Sequence, residues 1–307
     1  MENIKKQGFL KRIFSFVQEL FTEFGQDNAV TLAAALSYYT VFSIAPLLVI
    51  VLAVTSFFLG AEAVQGQLYE QLGGLLGKET AIQLQEVVKN AYVSGQSVFA
   101  TIISVGALLF SATAVVGQLK SAINTAWNIK EDPQKSGVLA YIKNRLLSLT
   151  FILGLGFIFL VSLGLNSVAA FFSDEIIKLF PFLDRGLTVV MPLVVSGVIT
   201  LTLFSLLFKY LPDAIIKWKD VFAGAVFTTI LFIAGKYLIG FYIGNSNATS
   251  TFGGAGALAS MMLWVYYSAM ILILGAEFIQ VWARRRETRI LPNKNSIKYV
   301  YEKAKVS

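Results

Sequence analysis

Apolar residues in this chain collect into long runs instead of alternating with polar ones. Six runs exceed 20 residues with few charges, at 29 to 59, 97 to 119, 146 to 172, 188 to 210, 221 to 243 and 256 to 282. Roughly 20 apolar residues in a helix cross about 30 Å of hydrocarbon, so each run predicts a transmembrane helix. Ahead of them, Leu10, Ile13, Phe14, Val17, Leu20, Phe21 and Phe24 recur at helical spacing, with Lys11, Arg12, Ser15, Gln18, Glu19, Thr22 and Glu23 between them. This two-faced pattern predicts an amphipathic helix at the membrane surface, with its basic residues toward anionic headgroups. Because Glu19 and Glu23 interrupt the apolar residues, the segment does not read as a signal peptide. Between the first two spans, Val64, Leu68, Leu72, Leu75 and Leu76 mark one apolar face. Ile82, Val87, Val88 and Ala91 mark another after Gly73, Gly74 and Gly77, which predicts a short extracytoplasmic helical hairpin. The fold class is therefore all-α, a polytopic membrane protein. It divides into a cytoplasmic interfacial arm over 1–28, a six-helix domain over 29–283 and a basic cytoplasmic tail over 284–307.

Charge orients the bundle. Of the 25 Lys and Arg, 20 fall before the first span, in 120–145, in 209–219 or after 283, while the opposite loops hold only Lys78, Lys89, Lys178 and Arg185. The positive-inside rule then puts both termini in the cytoplasm. The same asymmetry explains the net charge of +7 as topology and removes the reason to invoke nucleic acid. Composition agrees, with 14% charged residues against about a quarter in a soluble domain. The chain has no cysteine and no histidine, which excludes disulfides, thiol chemistry, metal sites built on those residues and a histidine base. No nucleophile elbow, paired-carboxylate site or metal cluster occurs either, so no catalytic residue, metal or cofactor is expected.

Polar residues inside the spans are the candidate chemistry. In the first span Ala29, Ala33 and Ser37 form a small-residue stripe suited to close helix contact. Pro46 should bend that helix, freeing the carbonyl near Phe42. Tyr38, Tyr39, Thr40 and Ser43 either line a cavity or bond neighbouring helices. In the fifth span Lys236 shares a face with Ala225, Thr229, Phe232 and Gly240; it either points into the bundle or snorkels to the outer surface. Glu277 and Gln280 lie near the inner end of the sixth span. Helix length separates Lys236 from Glu277 by roughly 20 Å in depth, so Arg284, Arg145 or Lys120 is the expected ion-pair partner of Glu277. Gly253, Gly254 and Gly256 at the start of the sixth span lack the Lys-Ser/Thr ending of a phosphate loop and, with Gly235, suit close packing.

Five strings, ALSYYTVFSIAPLL (35–48), INTAWNI (123–129), KYLPDAIIKWKDVFAGA (209–225), GKYLIGFYIG (235–244) and LWVYYSAMILILGAEFIQVWA (263–283), resemble the YihY/BrkB family over nearly all of 28–283. The resemblance implies a bacterial inner-membrane protein of six helices, with names tied to virulence or the envelope and an old, mistaken ribonuclease BN label. It places Pro46, Asn124, Trp127, Pro212, Asp213, Gly235, Lys236, Gly275, Glu277 and Phe278 at motif positions without giving any a chemical role. Transport, including that of envelope lipids, is a proposal for the family. The residues accordingly lead to a transporter in which Tyr38, Tyr39, Ser43, Thr229, Lys236, Glu277 and Gln280 meet an anionic or amphiphilic substrate among membrane lipids, between the first, fifth and sixth spans. The alternative is a structural or assembly protein of the envelope, in which those residues hold helices together. A membrane hydrolase of the ribonuclease kind is the third and weakest reading.

Overall fold

The computed structural model describes residues 8–59, 69, 73, 81–82, 85–86, 98–135, 137, 142, 144–154, 157–158, 161, 184–245 and 254–299. Its helices are α1 (Phe9–Gln26), α2 (Ala29–Leu59), α3 (Val98–Ala126), α4 (Asp184–Tyr210), α5 (Trp218–Asn245) and α6 (Gly254–Arg285). Among the described residues, three helical stretches are long and apolar enough to cross a membrane: Leu193–Tyr210, Trp218–Ile239 and Leu258–Arg285. A shorter apolar stretch covers Ala29–Ile44. These match the expected fourth, fifth, sixth and first spans. The third span is helical over 144–154, and most of its remainder, most of the hairpin over 61–96 and Gly253 lie outside the described residues.

Helix α6 is the hub, packing against α1, α2, α3 and α5, while α4 packs on α5. Glycines permit the closest of these approaches. A Cβ on Gly275 would overlap Thr228, one on Gly224 would overlap Ile279, and one on Gly235 would overlap the Tyr267 ring. The missing side chains let α5 and α6 touch along much of their length. On the other flank of α6 the predicted stripe is buried: Ala29, Ala33 and Leu36 pack with Ala122, Ala269 and Ile273. Ser37 Oγ donates to the carbonyl of Met262 at 3.0 Å.

Helix α1 carries two apolar faces. One docks on the end of α6, with Phe16 edge-on to Phe278 and Trp282. The docking is flanked by ion pairs from Arg284 to Glu19 and Glu23 and from Arg285 to Glu19. The other face exposes Ile13, Phe14, Val17 and Phe21, with Phe14 71% accessible. An interfacial helix needs such a face toward lipid. Asn28, at φ 50, turns the chain from α1 into α2, a backbone region that asparagine tolerates better than most residues.

Among the described residues, two short antiparallel ladders supplement the helices. Strand β1 (Ile129–Glu131) pairs with β4 (Ser296–Lys298), and β2 (Ala214–Ile215) pairs with β3 (Leu291–Pro292). The residues just after α6 are thus stapled to the two loops expected to be cytoplasmic, a contact between distant segments that helical patterning does not foresee. Both loops, α1 and the chain after α6 consequently share one end of the bundle.

Candidate functional site

That end is organised by Asp213, in the short turn between α4 and β2. Its Oδ2 accepts from Lys120 Nζ at 2.8 Å and Asn124 Nδ2 at 2.9 Å, and its Oδ1 accepts from Asn293 Nδ2 at 3.1 Å. Asp213 N returns a bond to Asn124 Oδ1 at 2.9 Å, and Ser296 Oγ donates to the Asp213 carbonyl at 2.8 Å. Lys120 also reaches Asn144 Oδ1 at 3.0 Å, tying in the helical stretch 144–154. One carboxylate thereby joins α3, both loops and the strands after α6. Because its oxygens are satisfied, this is architecture rather than a vacant ligand site.

The neighbouring sequence Gly275-Ala276-Glu277-Phe278 sends each residue to a different element. Gly275 faces Thr228 and Phe208. The Ala276 carbonyl accepts from the buried Trp127 Nε1 at 2.9 Å. Phe278 stacks on Phe227 at 4.4 Å and meets Phe16 edge-on at 5.1 Å. Glu277 turns toward the α1–α2 junction, where its carboxyl interacts with that of Asp27.

Glu277 is 0% exposed and Asp27 6%, and the oxygens Oε1 and Oε2 of Glu277 and Oδ2 of Asp27 have no partner of good hydrogen-bond geometry. The two acids lie within each other's range without completing a regular bond. Burial holds the Asp27 carboxyl above its ordinary range; the nearby Glu277 carboxyl opposes that shift and the charge of Glu23 adds to it. The expected partnership of Glu277 with a cation is not what the structure contains. Arg284 is held by Glu19 and Glu23 at 3.1 and 2.7 Å, Lys120 by Asp213, and Arg145 by Thr113 at 2.7 Å. Arg284 and Lys120 find carboxylates that keep some exposure, where less desolvation is needed than beside Glu277.

The other sequence candidates are dispersed. Lys236 is half-buried and has no acidic partner among the described residues. Gly235 beside it faces Tyr267, about ten residues or roughly 15 Å along α6 from Glu277, so the two charges stay apart as helix length required. Tyr38 and Tyr39 are 58% and 45% exposed, edge-on to each other on the outside of α2, whereas Ser43 is buried. Thr229 Oγ1 and Gln280 Oε1 are buried without partners. Where α2, α5 and α6 meet, Leu48, Met261 and Trp264 form an apolar cluster with Ile44 and Phe232. The structure therefore does not gather the seven candidates into one groove. Helix α2 continues through Pro46, Gly256 is buried, and the surroundings of Pro46 and Gly254 lie outside what the structure describes. Asp27 escaped the sequence reading because its only signal is a break between two helical patterns. Among the described residues no group of three or more acids, histidines or cysteines is placed to hold a metal ion.

A helical bundle with apolar helices of membrane length and a polar, loop-tied end defines an integral membrane protein. The chain belongs to the virulence factor BrkB family, whose profile matches residues 20–298. The match takes in Asp27 and β4 and so reaches beyond 28–283 at both ends. The chain is similar to the ribonuclease-like protein YfkH of Bacillus subtilis, with 25% identity over 293 residues, 92% of this chain and 98% of that one. It is 26% identical over 267 residues to a UPF0761 membrane protein of Psychrobacter, covering 86% of this chain but 47% of that one. A UPF0761 membrane protein of Azotobacter vinelandii is 28% identical over 292 residues, covering 90% of this chain and 66% of the relative. The chain thus spans nearly all of the first relative but a little under half of the second and about two thirds of the third. No solved structure matches.

Proposed function

We propose that this protein moves an amphiphilic or anionic molecule of the bacterial envelope across, or along, the cytoplasmic membrane, with both termini and the Asp213 network on the cytoplasmic side. The observation that carries the reading is Glu277, a fully buried acid with both oxygens unpartnered in a predominantly apolar helix of membrane length. An ionisable group so placed is costly, and a purely structural bundle gains nothing from it. Unpartnered Thr229 and Gln280 point the same way, because polar groups that only hold helices together find bonds, as Ser37 does. The basic asymmetry supports the orientation, and the exposed apolar face of α1 supports lipid as its partner.

A second reading, a structural or assembly protein of the envelope, draws on the glycine-tight α5–α6 contact and the satisfied Asp213 network. We read the protein as no enzyme, although YfkH bears a ribonuclease-like name, because a chain without histidine or cysteine lacks the usual acid–base groups for that chemistry.

The test is reconstitution of wild type, Glu277→Gln and Lys236→Met in liposomes, with labelled anionic lipids and small anions followed across the bilayer. Wild type is expected to move at least one class, and Glu277→Gln to slow it at least tenfold. Lys236→Met should slow only substrates with an anionic headgroup. If wild type moves none of a broad panel, the structural reading takes its place.

A further inference from the structure

Glu277 and Asp27 form a set of acceptors without a donor. Glu277 presents two unpartnered oxygens and Asp27 one, and Gln280 adds an unpartnered Oε1 a turn further along α6. The groups facing Glu277 are Asp27 from the α1–α2 junction, Glu23 from α1 and Arg284 from α6 itself. Arg284 lies about two turns from Glu277, roughly 10 Å along the axis, and is occupied by Glu19 and Glu23. On the helices packed to either side, Lys120 of α3 is occupied by Asp213, and Asp220 of α5 is a further buried acid with an unpartnered Oδ1. Two bare carboxylates in so dry a place would repel each other with little screening, and each would lose its hydration without compensation. The arrangement therefore calls for one added positive charge.

The charge number can be narrowed. Calcium takes six to eight oxygen ligands and magnesium demands an octahedron, whereas no group of three acids converges among the described residues. A monovalent charge needs fewer carboxylates: a proton is met by these two alone, and a sodium ion completes its oxygen shell with neutral carbonyl or water oxygens. We propose that Glu277 and Asp27 together bind one monovalent cation, a proton or a dehydrated sodium ion, which enters from the end of the bundle that α1 covers. Asp27 closes the site from that side, and α1 is held over it by the Phe16 contacts and the Glu19 and Glu23 ion pairs to Arg284 and Arg285. Access then requires α1 to loosen. The site goes beyond the transport reading by naming the ion that would be coupled, and its occupancy is measured without any substrate.

The experiment is infrared difference spectroscopy of the whole protein in lipid nanodiscs, titrated with acid in choline chloride and again in sodium chloride. Wild type, Glu277→Gln and Asp27→Asn are compared, and thermal midpoints are recorded alongside. A protonated-carboxyl band at neutral pH that is lost in Glu277→Gln, shifted in Asp27→Asn and indifferent to sodium supports the site with a proton as occupant. A band that sodium removes, with a rise in wild-type thermal midpoint that Glu277→Gln lacks, supports it with sodium. Absence of any Glu277-dependent band across the titration, together with no sodium-dependent stabilisation, overturns the proposal. If Glu277→Gln does not fold, Asp27→Asn decides, since a band and sodium response both unchanged by that substitution also overturn it. A positive band with no transport in liposomes would leave the site standing and remove the transport reading alone.

Discussion

The indole Nε1 of Trp127 donates to the carbonyl of Ala276 at 2.9 Å, fastening the end of α3 to the turn of α6 that carries Glu277. Both residues are fully buried. Trp127→Phe removes the donor and part of the ring, and should lower stability by about 1–3 kcal/mol, read as a drop in thermal midpoint. An unchanged midpoint would show that the bond does not help to position α6.

The Lys120–Asp213 pair is mostly buried, with 13% and 14% of the side chains exposed. Asp213→Ala strands Lys120 as well as Asn124 and Asn293, and should cost about 3–5 kcal/mol. Protease cleavage within 286–299 should rise as β3 and β4 come away. Lys120→Met combined with Asp213→Ala should cost less than the two separate losses added together. Strict additivity would remove the pair from the account.

Gly275→Ala forces a methyl onto Thr228 and should destabilise by about 1–3 kcal/mol. Thr228→Ala in the same chain should recover part of the loss, because it withdraws Oγ1, the atom the new methyl meets most closely. Thermal midpoints of the single and double variants measure both effects. No recovery would mean that α5 and α6 separate instead of accommodating the change locally.

Asp27 gives a pH dependence whose sign follows from its burial. Its carboxyl is raised in the folded protein, so its contribution is fully present below the unfolded value of 3.8 and is lost as pH rises through the folded value. Asp27→Asn should flatten the fall in stability between those two values and raise the thermal midpoint at neutral pH. A steeper fall in the variant would reverse the assignment.

Topology can be tested on a cysteine-free background. Asp132 N donates to Asn295 O at 3.0 Å, so neighbouring cysteines at Gln134 and Asn295 must lie on one side of the membrane. An impermeant thiol reagent added to sealed cells should label Ser94→Cys and Ser250→Cys and spare Gln134→Cys and Asn295→Cys. Labelling of either of the last two would reverse or break the orientation drawn from basic residues.

Local periodicity made much of the molecule legible. Apolar run length marked the membrane-length helices α4, α5 and α6, and helical spacing marked both the amphipathic α1 and the Ala29, Ala33 and Ser37 stripe. Helix rise alone kept Lys236 away from Glu277. These properties depend on neighbours within a few turns, where 3.6-residue geometry leaves little freedom. The choice of partners was another matter, since it depends on which distant groups compete for a charge. Arg284, two turns beyond Glu277 on the same helix, reads as its natural partner until α1 folds across the end of α6 and offers Glu19 and Glu23 at less desolvation cost. Lys120 is taken in the same way by Asp213, and the chain after α6 is captured by strands from two loops more than 70 and 150 residues earlier. Glu277 is left beside Asp27 because Arg284 and Lys120 each find a wetter acceptor, an outcome of three-dimensional competition that no periodicity in the chain encodes.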